Sequence, residues 1–275
     1  MGIKYTVQGL LIYLAMAGHL LAFAATLLKY RRTGHSLYLG GFIIAVFCFA
    51  YRWYDVHHIP MQNLFEVFLC LGVMVFPISL FCRRAFRIGG YGADMLIGAM
   101  VLLPAGFVFS AEPQQLPPAL QCWLFVPHVA VYMLSYIFMV KAAFQALAQF
   151  AGKNPNPGEE PRSVAIAMER RRLDPEVATY YMVQAGFPLL TLGLVLGSYW
   201  GQLAWGDYWN WDPKELWSLA AWLVYVGYFH FRYMFGKKYP RINSTWVLAG
   251  MVLIVITLLW ANLSRLFPSL HSYAT

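Results

Sequence analysis

The feature that constrains this chain most is a series of eight apolar segments, each close to the length needed to cross a bilayer. A span takes roughly 20 predominantly apolar residues. The segments fall at about 5–28, 36–51, 63–81, 90–110, 128–147, 178–199, 213–231 and 244–260. The second is short and the seventh begins polar, so their edges are soft. Only 12% of the residues are charged and 60% are hydrophobic, against about a quarter charged in a soluble domain. One globular core cannot hide that much apolar surface, so the solvent is lipid. Lipid offers the backbone no hydrogen-bond partner, and a run of long apolar segments satisfies itself as helix. The expected fold is all-α: a polytopic membrane bundle of about eight transmembrane helices, a single domain over 1–275. The first apolar segment lacks a small-residue cleavage site and reads as a span, not a cleaved leader.

The basic residues set the orientation. Strict alternation places Lys29, Arg31, Arg32, Arg83, Arg84, Arg87, Lys141, Lys153, Arg162, Arg170, Arg171, Arg172, Arg232, Lys237, Lys238 and Arg241 on one side. The other side keeps Lys4, Arg52, Lys214 and Arg265. By the positive-inside rule the first side is cytoplasmic and both termini are outside. The net charge of +8 therefore follows topology and does not argue for nucleic acid. One long loop, about 149–177, is cytoplasmic; its Arg cluster is suited to anionic lipid headgroups.

The four cysteines, Cys48, Cys70, Cys82 and Cys122, are scattered. Without a C-x-x-C pair they argue against a disulfide framework or a thiol redox site. Without C-x-x-C-H the chain carries no covalent haem of its own.

One outer segment stands apart. From Trp200 to Trp217 the chain reads W-G-Q-L-A-W-G-D-Y-W-N-W-D-P-K-E-L-W, with five of its ten tryptophans: Trp200, Trp205, Trp209, Trp211 and Trp217. An interfacial aromatic belt would spread over many span ends. Concentration in one loop points instead to a platform for a large flat ligand. Asp212, followed by Pro213 and Glu215, also forms a helix start. Capping is the first role of Asp212 and Glu215, and ligand contact the second.

Two histidines share that side. His128 lies at the mouth of the fifth span after Pro127, and His271 follows the eighth. Two neutral imidazoles across an aromatic plate are what a six-coordinate haem iron takes. Either histidine is otherwise an ordinary polar residue near a span end. His230 lies toward the inner end of the seventh span, where an ionisable group is costly and functional by default, or snorkels beside Arg232. His19 lies within the first span, suited to a hydrogen bond with a neighbouring helix. His58 and Glu66, with His57, lie around the first outer loop and read either as lining the same outer vestibule or as local structure; Glu66 needs a partner such as Arg52 or a hydroxyl. The scarce outer cations Arg52, Lys214 and Arg265 are candidates to pair with haem propionates.

The stretch W-G-D-Y-W-N-W-D, Trp205 to Asp212, resembles the "WWD" signature of the haem-handling protein superfamily. Eight spans and the L-H-S-Y string around His271 are similar to its CcsA (ResC) branch, over essentially the whole chain. The resemblance implies that His128 and His271 ligate haem at the outer site, on a platform of Trp200, Trp205, Gly206, Trp209, Trp211, Asp212 and Trp217. It implies that His230 holds haem earlier, with a second ligand from a CcsB (ResB) partner. Haem b, bound non-covalently in transit, would be presented to an apocytochrome c carrying C-x-x-C-H, within a synthase complex. The resemblance places the chain in a bacterial inner membrane, or in a thylakoid if the source is photosynthetic.

Three rival readings share the composition. A b-type electron carrier wants paired histidines within the bilayer, and His19 and His230 do not make two pairs. A non-catalytic assembly factor of the HemX type resembles the fold but lacks the Trp-rich signature. A midplane transporter predicts broken spans with buried charges, whereas these spans read as mostly unbroken and nearly uncharged.

Overall fold

A computed structural model describes residues 3–151 and 174–260. His271 and Arg265, with most of the long basic loop, lie outside the described residues. Eight α-helices appear within them: α1 (Val7–Leu27), α2 (Arg31–Val56), α3 (Leu64–Ala85), α4 (Tyr91–Phe107), α5 (Phe125–Ala151), α6 (Pro175–Trp205), α7 (Pro213–Phe235) and α8 (Pro240–Val255). A π-helical turn, Ile256–Trp260, continues α8. No strand occurs among the described residues. All eight expected segments are helical. Six are long and apolar enough to cross a membrane; α4, with 17 residues, is shorter, and α7 begins and ends polar. The chain is a multi-pass, all-helical membrane protein.

Most helices outrun their apolar segments because backbone hydrogen bonding continues past the last lipid-facing residue. The second span, read as 36–51, is a 26-residue helix. The Trp-rich loop shrinks correspondingly. Trp200 and Trp205 belong to α6, and 206–212 alone connect α6 to α7.

Each boundary has a local cause. Asn63 caps α3 by accepting the amide of Glu66 at 3.0 Å, and Thr6 accepts the Gly9 amide at 3.1 Å. Caps of this kind are worth ~1 kcal/mol each. Gly206 ends α6 at φ +89°, a left-handed turn that a Cβ disfavours. Asp212 and Glu215 form the expected capping box on α7.

Packing divides the bundle into two groups of four. Helix α1 lies against α2 and α4, and α3 against α4; in the second group α5 packs on α6 and α8, and α7 on α8. The groups meet where α3 and α4 touch α5. The α5–α6 contact is close because Gly186, Gly193 and Gly197 lie against Phe138, Tyr132 and His128 of α5, small residues that let membrane helices approach.

The helix ends carry charges that the sequence reading treated as nearly absent from the spans. At the basic end Lys141 on α5 pairs with buried Asp94 on α4, which also accepts from Ser79 on α3. Nearby, Arg232 on α7 pairs with Glu176 on α6 at 2.7 Å, and Asn243 on α8 donates to the same carboxylate at 3.0 Å. These pairs close on themselves and tie helices together. Breaking one member of a buried pair typically costs ~3–5 kcal/mol.

Candidate functional site

At the opposite end a cleft opens between the two groups of helices. It encloses about 1050 Å³, its open mouth included. Helix α5 supplies one wall. His128, Tyr132 and Tyr136 are spaced by four residues, so they share a face, and all three line the cleft. Ser198 and Trp200 come from α6, Trp209 from the connecting loop, and Lys214, Glu215 and Ser218 from the start of α7. The entry to α3 (Met61, Gln62, Asn63) closes the far side. The π turn after α8 adds Thr257 and Leu258.

His128 is the best-defined group in this cleft. Its Nδ1 lies 2.9 Å from the carbonyl oxygen of Gly193. A carbonyl only accepts, so Nδ1 carries the proton and Nε2 keeps the lone pair. An imidazole oriented by a backbone carbonyl in this way is the usual form of a metal-ligating histidine. The ring is held on three sides. Trp200 stacks on it at 5.7 Å and 19°. Tyr132 meets it edge-on at 5.1 Å and 84°. Gly197 lies beneath it, where a Cβ would come 2.5 Å from Cε1. Trp200 is itself fixed, with its indole N–H donating to the Ala119 carbonyl at 3.0 Å and its ring against Phe125 and Trp205.

The loop between α6 and α7 is tightly specified. The Glu215 carboxylate accepts the amides of Asn210 at 2.8 Å and Asp212 at 3.1 Å. Between those amides, Trp211 adopts φ +56°. For a bulky residue that conformation costs on the order of 1–3 kcal/mol and persists only where surroundings impose it.

The expected site residues divide sharply. His128, Trp200, Trp209 and Lys214 meet at the cleft, with Glu215 beside them. Gly206 and Asp212 shape the loop from either end. Trp205 stands behind Trp200, and Trp217 packs edge-on against Trp260 at 5.8 Å. Trp211 is 66% exposed and does not line the cleft. Arg52 departs from its expected role as a carboxylate contact for a ligand. It is 1% exposed, paired with Glu66 at 3.0 Å, and its guanidinium also donates to the Ala111 carbonyl at 2.6 Å. Glu66 thus has the partner the sequence asked for, and both are occupied within the protein rather than opening a vestibule. His58 is half-buried beside the Ile59 carbonyl, outside the cleft lining. His230 is exposed on α7 near the basic end, far along the helix from Lys214. Among the described residues Lys214 is the one Lys or Arg in the cleft lining.

Sequence reasoning passed over Tyr132, Tyr136 and Ser218. The four-residue step from His128 and from Lys214 would have found them.

With this geometry in place, comparison with known proteins decides the family. Residues 35–268 match the family described as cytochrome c assembly protein. The chain belongs to the cytochrome c assembly protein family. Among its relatives, the cytochrome c biogenesis protein CcsA of Mesostigma viride is 30% identical over 263 residues, covering 86% of this chain and 84% of that protein. CcsA of Prochlorococcus marinus (strain NATL1A) is 32% identical over 260 residues, covering 81% and 78%. CcsA of Synechococcus sp. (strain JA-3-3Ab) is 29% identical, covering 81% and 79%. The matched region of this cytochrome c assembly protein includes His128, Gly197 beneath its ring, Gly193 at its Nδ1 and the whole α6–α7 loop.

Proposed function

We propose that the cleft binds haem b in transit and presents it, at the outer membrane face, for covalent attachment to an apocytochrome c. The observation that carries the reading is His128: an imidazole clamped between Trp200 and Gly197, its tautomer set by the Gly193 carbonyl so that Nε2 is the ligating nitrogen. The cleft fits the group chemically. It is lined by aromatic rings for a porphyrin face, phenolic and aliphatic hydroxyls deeper in, and one ammonium, Lys214, for a propionate. The Arg52 guanidinium is held by Glu66, so Lys214 and Arg265 remain the outer candidates for propionates. His271 is the proposed second axial ligand; Leu258, in the cleft wall, leads toward it along the chain.

Haem supplies the reactive vinyl groups: each cysteine thiol adds across one, sulfur to one carbon and proton to the next, with no oxidant required. The chain's own contribution is to bind and orient. Trp200 and Trp209 bound the plate, His128 fixes the iron position, and the cleft mouth admits the C-x-x-C-H segment, whose histidine takes over one axial site. His230, exposed on α7, would share an earlier haem with a ligand from a CcsB-type partner. The membrane is proposed to be the bacterial inner membrane or a thylakoid.

The test is an absorption spectrum and haem assay on the full chain, co-expressed with a CcsB-type partner. His128→Ala, His271→Ala and the double variant are expected to lose the low-spin spectrum and regain part of it with added imidazole. Full haem retention in the double variant would sink the reading.

A further inference from the structure

The α6–α7 loop gives its two central tryptophans opposite settings. Trp209 is half-buried and lines the cleft. Trp211, two residues on, is 66% exposed, off the cleft, and set at φ +56°. The Glu215 carboxylate fixes that arrangement by accepting the amides on either side of Trp211, Asn210 and Asp212. A capping box needs the second of these bonds, since Asp212 is the N-cap. It does not need the first. The Asn210 bond closes a ring of backbone around Trp211 and leaves the side chain no easy way back to an extended conformation.

We propose that Glu215 is a positioning residue and that Trp211, which it holds outward, is the contact for the acceptor polypeptide rather than part of the haem platform. This rests on the haem-presenting reading above. The ring centroids of Trp211 and Trp209 lie 5.9 Å apart at 88°. Anything seated on the exposed face of Trp211 is therefore one ring removed from the cleft. An acceptor must bring two thiols and an imidazole to the mouth of that cleft, so it runs along this rim. The loop also exposes Tyr208, but Gly206, Asp207, Asn210 and Asp212 break any continuous apolar face, and that mixed surface matches a polypeptide better than a lipid tail. An exposed aromatic on a preset backbone loses little entropy on binding and makes a strong anchor.

The experiment uses the purified full chain with its CcsB-type partner. The probe is a labelled peptide of about 20 residues containing S-x-x-S-H, which reads binding without reaction. A C-x-x-C-H version of the same peptide reads attachment. Trp211→Ala is expected to weaken peptide binding about tenfold or more, the scale of an aromatic anchor, while the haem spectrum keeps its wild-type form. Glu215→Ala should weaken peptide binding likewise, with the haem readout taken from the Trp211 variants alone because Glu215 also lines the cleft, and Trp211→Phe should return affinity to within about threefold of wild type. Trp209→Ala is expected to show the converse, an altered haem spectrum. Unchanged peptide affinity in Trp211→Ala would overturn the proposal and leave Trp211 an interfacial residue. A haem defect in Trp211→Ala equal to that of Trp209→Ala would overturn it too. If Glu215→Ala does not fold, the two Trp211 variants decide alone. Wild-type protein that binds peptide but never haem would remove the haem reading while keeping Trp211 as a polypeptide contact.

Discussion

His19 and His128 sit in matching slots at different places in the molecule, and of the two His128 lines the cleft. In the first group of helices, His19 is fully buried, with Gly41 and Gly98 on either side, where an added Cβ would lie 3.0 Å from the ring. In the second group, His128 lies over Gly197 under the same steric rule. The difference is in the nitrogens. Neither ring nitrogen of His19 has a hydrogen-bond partner among the described residues, and the ring's neighbours are Tyr38 edge-on and glycine backbone. His128 has its tautomer fixed and its ring on the wall of a cleft. A glycine slot by itself therefore marks close helix packing. A glycine slot with a carbonyl aimed at Nδ1, on the wall of a cleft, is the setting on which the haem-binding proposal rests.

The largest expected effect follows directly. His128→Ala should abolish the haem spectrum, whereas His19→Leu, of similar volume, should leave it intact. Removing the unpartnered nitrogens of His19 should also leave the thermal midpoint unchanged or raise it, because a buried polar atom without a bond costs ~1–3 kcal/mol. Spectra and melting curves on the two variants check both halves. Haem loss in His19→Leu would break the contrast and make His19 a ligand candidate.

A smaller effect separates slot from ligand. Gly197→Ala brings a methyl group 2.5 Å from Cε1 of His128, a clash that the ring must relieve by moving away from the Gly193 carbonyl. Haem affinity should fall roughly tenfold, the usual cost of disturbing an outer-shell contact to a metal ligand. Gly98→Ala should disturb packing against His19 and lower the melting temperature, with no change in haem affinity. Equal haem affinities for Gly197→Ala and wild type, by titration, would show that the slot does not position His128.

These contrasts also show what the sequence made legible. Helical class and the positions of the eight segments follow from hydropathy, because lipid leaves the backbone no alternative. The capping role of Asp212 and Glu215 was legible from spacing, and so was the need of Glu66 for Arg52. The tertiary fate of single side chains was not. His19 reads as a hydrogen-bonding residue, yet glycines surround it. Trp200 and Trp211 both read as platform, but one is an α6 residue fixed by the Ala119 carbonyl and the other points outward. Asp94 and Lys141 lie far apart in sequence and on different helices, so their pairing left no local signal.

The smallest effect concerns Lys214, the cation of the cleft, against Lys141, the cation of the basic end. Lys141 is closed onto Asp94, so its removal is a stability matter: Lys141→Met should cost ~3–5 kcal/mol with no specific change in ligand preference. Lys214 lines the cleft beside Ser218, one helical turn on. Lys214 as a residue is half-buried beneath the open mouth of the cleft, and the net worth of one hydrogen bond there is ~1 kcal/mol, about fivefold in affinity. Lys214→Gln should therefore weaken haem binding by about that factor and leave binding of the haem dimethyl ester, which has no carboxylates, unchanged. Titrating both ligands against both proteins isolates the charge. Equal losses for haem and its ester would mean that Lys214 acts through packing at the start of α7, and the propionates would then have to be met from the chain beyond Trp260.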